Sequence, residues 1–354
     1  MSKPKSEPHP VVRQRARLGW SQEQLAEHSG VPRTTLSAIE GRRLTPSVTA
    51  ALAVARALEC SVEELFGDGS AAPSSQGPQW AWSAPAQPSR YWTAEVGGRH
   101  WLYPVESLAV NPIPHDGVWH QGVVRSDDHL AASTLVIATC DPAAGLLAAE
   151  FARESGFRLL VLQRGGGTAL ELLRKGLVHV AGIHRTTQAS PTKNAETVKQ
   201  KLGGGYRLLR AAEWEEGLAV SAATRSQNLR SITRQCDRWA LREPGSAARE
   251  CLDEILSGHP PEGRIVASHA AVAEAVHSGW ASAGVCVRLS AVEAGLNFIP
   301  VRTESLDLCF SDAMAHDPRV HALIRLVRSR DHRRLVSDLP GYDAKETGGI
   351  TRVS

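Results

Sequence analysis

Two sets of residues in this sequence could do chemistry, and both look like binding rather than catalysis. The first set falls where β-branched apolar runs give way to helical patterns. Thr139 ends TLVIAT and Asp141 follows it, and Gly165, Gly166, Gly167 and Thr168 open GGGTALELLRKG. Gly245 and Ser246 open a later helical stretch, with Arg249 one turn in, and His184 ends VHVAGIH. Helix starts offer free backbone N–H groups and the positive end of the helix dipole, so a small anion could be held there without a charged side chain. Each residue also has an ordinary reading. Asp141 would cap its helix, the glycines would form a turn, and His184 would be a satisfied core histidine. Arg242 and Arg249 would be solvated charges. The second set is basic: between Val11 and Arg43, Arg13, Arg15, Arg17, Arg33, Arg42 and Arg43 stand against only Glu23, Glu27 and Glu40.

Other chemistries find little support. There is no G-x-S-x-G, no Walker loop and no Ser/His/Asp order, so no catalytic residues are assigned. Cys60, Cys140, Cys236, Cys251, Cys286 and Cys309 form no C-x-x-C pair, and the 14 histidines form no H-x-x-x-H. The expectation is free thiols, no metal-ligand cluster and no cofactor. A net charge of +3 is too small to argue for nucleic acid by itself. No run approaches the ~18 apolar residues of a membrane span. The stretch MSKPKSEPHPVVRQRARLGW lacks the apolar region of a signal peptide. A cytoplasmic location and no membrane partner are therefore expected.

These residues need elements to position them, and 354 residues suggest more than one domain. Residues 1–66 read as a compact helical block. Residues 67–90, rich in Gly, Ala, Pro and Ser, read as a linker. Residues 91–129 alternate aromatic and polar residues around turn signals, which predicts a β-rich connecting segment of two to four strands. Trp92, Trp101 and Trp119 there read as packing residues. From 130 to 340, β-branched runs alternate with helical patterns, which predicts a mostly parallel sheet covered by helices. Residues 341–354 read as a frayed tail.

The helical block has detailed internal grammar. Helix one covers Val11 to Leu18. Ser21 caps helix two, with Gln24 completing a capping box, and Leu25 and Ala26 face inward. Gly30 supplies a tight turn. Leu36 and Ile39 give the next helix an apolar face, and Ser47–Leu58 and Ser61–Leu65 close a five-helix bundle. The stretch SQEQLAEHSGVPRTTLSAIEGRRLTPSVTAALAVARALECSVEELF resembles the Xre/Cro family of helix-turn-helix domains. The resemblance implies that the second motif helix enters the major groove with Arg33, Thr34, Ser37 and Ala38 toward the bases. Arg33 suits guanine, while Gln22, Arg42 and Arg43 meet phosphates. It also implies that Arg15 and Glu40 form a structural ion pair. Pro32 stands where the family usually has Ser or Thr, so a cap hydroxyl is lost.

Residues 130 to 312 resemble a periplasmic-binding-protein-like domain, a cousin of molybdate-binding proteins and LysR-type effector domains. LVIATCDPAAGLLA, GGGTALELLRKGLVHVAGIH, WEEGLAV and REPGSAARECLDEI carry the resemblance. It implies an α/β two-lobed (type 2) fold after the all-α bundle, with Thr139, Asp141, Gly166, Gly167, Thr168, His184, Gly245, Ser246 and Arg249 lining a cleft between lobes. The family runs an arginine followed by Gly-Ser-Gly-Thr-Arg. This chain reads Arg242-Glu243-Pro244-Gly245-Ser246-Ala247-Ala248-Arg249, which loses one hydroxyl and adds a negative charge.

Together these features give a DNA-binding regulator that senses a small molecule, with molybdate or another small anion as the effector class. Double-stranded operator DNA is the expected partner. A homodimer or higher homo-oligomer is expected because two-fold symmetry suits a palindromic operator. The alternative is an enzyme on the same fold, linked to molybdenum cofactor metabolism.

Overall fold

Hydrophobic residues at helical spacing in the first 66 positions form five short helices: α1 (Pro10–Arg17), α2 (Gln22–Ser29), α3 (Arg33–Glu40), α4 (Val48–Ala57) and α5 (Val62–Phe66). In this computed structural model, residues 9–58, 60, 62–66, 78–83, 89–106, 115–119, 128–224, 228–257 and 261–354 are described. The chain divides into two units, 1–77 and 78–354. The first unit's core is Val11, Leu25, Val31, Leu36, Ile39, Val54, Ala55, Leu58 and Leu65. Its local signals act as chemistry requires. Ser21 and Gln24 form the reciprocal capping box at the start of α2. Gly30 ends α2 at φ 68°, a conformation that disfavours any residue with a Cβ. Pro32 starts α3 with no side-chain cap.

The second unit opens with β1 (Gln79–Trp80), β2 (Ser89–Val96), β3 (Arg99–Pro104) and β4 (Gly117–Trp119), forming a sheet ordered β1-β3-β2-β4. One lobe follows with α6 (Asp128–Ala132), β5 (Thr134–Thr139), α7 (Ala144–Ser155), β6 (Arg158–Gln163), α8 (Gly166–Arg174), β7 (Val180–Thr187) and α9 (Lys193–Leu202). Strand β8 (Tyr206–Val220) then crosses to a second lobe of α10 (Leu229–Gln235), β9 (Trp239–Leu241), α11 (Ala247–Ile255), β10 (Gly263–Ile265), α12 (His269–His277), β11 (Ala283–Val287) and α13 (Arg288–Glu293). Strand β12 (Asn297–Ser311) crosses back, to α14 (Pro318–Arg328), α15 (Arg330–Ser337), β13 (Tyr342–Asp343) and β14 (Ile350–Val353).

The sheet is mixed, not mostly parallel as its apolar runs suggest. Strands β5, β6 and β7 are mutually parallel, as are β9, β10 and β11. The long crossing strands β8 and β12 pair antiparallel along their whole length. Arg302 and Glu304 interrupt the apolar pattern of β12, so one strand reads as two short ones. Both side chains are accommodated by buried ion pairs.

Three boundaries also differ from the sequence reading. Within the expected linker, Gln79 and Trp80 pair with Trp101 and Leu102, and Trp82 packs edge-on to Tyr103. Residues 67–77 and 84–88 lie outside the described residues. The β2–β3 hairpin is more than a connection, because Trp92, Ala94, Val96, Trp101 and Tyr103 share one core with Val136, Leu160 and Leu162. Tyr103 Oη donates to Leu177 O at 2.8 Å, and Arg158 holds both oxygens of Asp116. The expected tail is ordered: β13 and β14 pair with β8. Tyr342 is buried there, donating to Asp141 at 2.6 Å. Polar composition hid a segment that satisfies its backbone on a sheet edge.

Candidate functional site

In the first unit, α3 turns Leu36 and Ile39 into the core, which leaves Arg33, Thr34, Ser37 and Ala38 on the opposite arc. Arg33 and Thr34 are exposed, as are Arg42 and Arg43 just beyond the helix. Arg33 Nη1 donates to Glu23 Oε1 at 3.0 Å, with both side chains largely in water. Such a pair is weak and easily exchanged for another anion. Arg15 makes a two-pronged pair with Glu40 at 2.8 and 3.1 Å. Gln22 Nε2 also donates to Glu40, at 2.6 Å, so its amide is already engaged in the free protein. Burial opposes ionisation of Glu40, but the bonds from Arg15 and Gln22 outweigh it and hold the carboxyl below its usual range.

In the second unit the lobes meet where β5 and β7 end and where α8, α11 and α12 begin. Gly166, Gly167, His184, Gly245 and Ser246 gather around one narrow space with Ile183, Arg185 and Ala247. Its free volume of about 10 Å³ is room for about one water. Gly165, before α8, gives no side-chain cap. The Glu243 carboxylate from the opposite lobe lies where a Cβ at Gly165 would sit. Arg185 is ion-paired with Glu250 across the same junction. The lobes therefore touch at this point, while a groove of about 650 Å³ lined by residues of both lobes stays open next to it.

The other expected lining residues lie elsewhere. Thr139 is buried, its Oγ1 accepting from Asp141 N. Asp141 accepts from Ala143 N and Tyr342 Oη; burial raises its carboxyl, and the Tyr342 bond opposes this. Thr168 is exposed on α8, and Arg249 pairs with Asp253 one turn on at 2.9 Å. Ser246 is present at the space, but its hydroxyl caps α11 and donates to Glu243 O. A helix start lets its first side chains point to any side, so position at a junction did not decide which of them face the cleft.

Beside this space lies a buried constellation that the sequence reading did not assemble. His184 Nδ1 is 2.6 Å from Glu304 Oε2, and His184 Nε2 is 3.0 Å from Cys140 Sγ. Trp214 Nε1 donates to the same Glu304 oxygen at 3.4 Å. Register places Arg302 opposite Glu216, and Glu304 opposite Trp214, on the crossing strands. Arg302 pairs with Glu304 at 2.6 Å and Glu216 at 2.9 Å, and donates to Ala247 O at the start of α11. Burial and the adjacent Glu304 push Glu216 up to about 8, so this carboxyl holds a proton at neutral pH. Burial alone would lower His184, but Cys140 and Glu216 outweigh it and raise it. His269, the first residue of α12, is driven well below its usual range by burial and by Arg242.

Although no spacing motif for a metal is present in the sequence, the fold brings three possible donors together. Cys140, His184 and His269 bring one donor atom each to within 4.8 Å of one another. Residues 44 and 85 positions apart leave no spacing motif to read. One signal was present: Cys140 stands between Thr139 and Asp141, and His269 opens a helix just as Gly166 and Ala247 do. The six cysteines are free thiols.

Comparison with known proteins agrees with both halves. A helix-turn-helix family model matches residues 12–65, and a PBP superfamily domain matches residues 148–328, just over half of the chain. The uncharacterized protein YvgK of Bacillus subtilis (strain 168) is 28% identical over 197 residues, 53% of this chain. The chain spans 63% of that relative's length. The uncharacterized HTH-type transcriptional regulator YgzD of the same organism is 44% identical over 52 residues, 15% of this chain and 79% of its own. An ABC-type phosphate transport receptor from Vibrio cholerae superposes with a TM-score of 0.42 at 13% identity, covering 59% of this chain and 99% of its own. Among the described residues no helix is long and apolar enough to cross a membrane. The chain belongs to the PBP superfamily, with an Xre-type helix-turn-helix domain preceding its PBP domain.

Proposed function

We propose that this protein is a cytoplasmic transcription regulator that binds operator DNA as a dimer and changes its operator affinity when a small effector enters the interlobe cleft. Arg33, Thr34, Ser37 and Ala38 read bases, and Arg42 and Arg43 hold phosphates. Gln22 reaches a phosphate by releasing Glu40. The observation that carries the sensing half is the start of α8, which has no side-chain cap and faces the start of α11 across the cleft. Uncapped N–H groups and two converging helix dipoles favour a small anion. An oxyanion such as molybdate must first displace the Glu243 carboxylate from Gly165.

A thermal-shift panel of oxyanions and small carboxylates tests this on wild type, Glu243→Gln and Ser246→Trp. A ligand specific to the folded state adds about 2.7 kcal/mol at a hundredfold excess over its Kd. The expected hit strengthens in Glu243→Gln and vanishes in Ser246→Trp. A hit indifferent to both variants would place the ligand elsewhere.

One observation favours a second reading, an enzyme: Cys140, His184 and Glu304 line up as thiol, imidazole and carboxylate. Turnover of thioester or ester substrates that disappears in Cys140→Ala would establish it.

A further inference from the structure

We propose that Cys140, His184 and His269 bind a single zinc-class cation that pins the two lobes together. Cys140 follows β5 and His184 lies on β7, both in the first lobe, while His269 opens α12 in the second. Their donor atoms lie within 4.8 Å of one another and all three residues are buried. Zinc takes thiolate sulfur at about 2.3 Å and imidazole nitrogen at about 2.0–2.1 Å, and it accepts this mixture of donors. Tetrahedral geometry puts such donors about 3.3–3.6 Å apart. The Cys140 Sγ to His184 Nε2 distance of 3.0 Å therefore opens by only a few tenths of an ångström.

Two independent features point to a ligand at this position. His269 is 1% exposed, yet neither of its ring nitrogens has a hydrogen-bond partner among the described residues. A buried imidazole left so is costly, and native structures rarely tolerate one without a partner of some kind. His184 is oriented as metal-bound histidines are. Its Nδ1 proton goes to the Glu304 carboxylate at 2.6 Å, which turns the Nε2 lone pair toward Cys140. Arg302 and Trp214 fix Glu304 in turn. On binding, the Cys140 thiol gives up its proton to solvent and its sulfur takes the cation in place of the hydrogen bond to His184. Three protein donors leave a fourth position for water or another small ligand.

With ligands drawn from both lobes, the cation stabilises their contact. Its effect on DNA affinity rests on the sensor reading above; its binding does not.

The test uses the full chain, reduced and stripped with chelator, then titrated with Co²⁺ and displaced by Zn²⁺. One Co²⁺ per chain with a thiolate-to-metal charge-transfer band is expected. Cys140→Ala abolishes the band, and Glu304→Gln lowers affinity about 10–100-fold. His269→Phe removes an unpartnered polar ring, so without metal it melts no lower than wild type, and Zn²⁺ fails to raise its Tm. Wild type gives a readout free of variants: Zn²⁺ raises its Tm. No band and no rise in Tm would overturn the site, as would a band that survives in both Cys140→Ala and His269→Phe. Operator affinity of the loaded and stripped chain separates the two ideas. A bound metal that leaves it unchanged contradicts any coupling of the metal site to DNA binding while the site stands. An absent metal with an anion-responsive operator affinity contradicts the site while the sensor stands.

Discussion

Arg33 in the first unit and Arg302 in the second are both ion-paired, but in opposite settings. Arg33 meets Glu23 with both side chains in water, whereas Arg302 meets Glu216 and Glu304, whose side chains have no exposed surface. A solvated pair contributes little to stability and can be traded for a phosphate at little cost. Buried charges hold one another in place, and removing one leaves the rest uncompensated in low dielectric. A surface that must meet many DNA sequences benefits from replaceable pairs. A cleft that must adopt one geometry benefits from pairs that cannot be broken singly.

The largest expected effect follows from the buried side of this contrast. Arg302→Met should destabilise the second unit by about 3–5 kcal/mol, read by denaturant unfolding. Equal stability of variant and wild type would mean that Glu304 is not a charged partner of Arg302.

Next is acid sensitivity. His179 Nδ1 accepts from Val136 N and its Nε2 lies 2.8 Å from Glu95 O, tying β2 to β5. Burial, with Arg319 nearby, pushes it down to about 3. The unfolded chain therefore binds the proton first, as pH falls below about 6.5. Stability present above pH 6.5 should decline at up to about 1.4 kcal/mol per pH unit until pH 3. His179→Gln should flatten that slope. In the first unit His9 is lowered too, by partial burial and by Arg42, while Glu40 is depressed, so its contribution persists down to the ordinary carboxylate range and is lost only as pH falls through it. Unfolding of the two units at pH 5 and pH 7 should separate them.

On the solvated side, Arg33→Ala should leave stability within about 0.5 kcal/mol. It should cost about 1–3 kcal/mol of operator binding and relax preference at one base pair. Arg43→Ala should instead weaken binding to all sequences and reduce the salt slope by about one. Selection from a random-sequence pool distinguishes the two, and an unchanged base preference in Arg33→Ala would remove it from base readout. Smallest of all, Thr168→Val should change neither stability nor any anion response by more than about 0.5 kcal/mol, because Thr168 faces solvent.

The same contrast explains what could be read from the chain. The first unit's signals are local: Ser21 and Gln24 are one helical turn apart, Gly30 needs its own φ, and Leu36 and Ile39 share one face. The second unit's alternation of strands and helices was equally local, so its lobes were legible. Its site was not, because Cys140, His184, Trp214, His269 and Glu304 come from separate segments. Only the crossing of β8 and β12 makes them neighbours. Nothing in the composition marks Glu216 and Glu304 as buried carboxylates, and Tyr342 falls in a segment that reads as tail. In each case a partner far along the chain supplies what composition cannot show.

The central claim is that the state of the interlobe cleft sets the affinity of the DNA-binding head. It is tested most directly by operator affinity of the full chain, measured by fluorescence anisotropy for wild type and Ser246→Trp, whose indole wedges the cleft. Arg33→Ala serves as the control for loss of base contacts. Coupling of ordinary size predicts a 5–150-fold change in operator Kd between wild type and Ser246→Trp, with sequence preference retained. Identical operator affinity in a folded Ser246→Trp protein would contradict the claim.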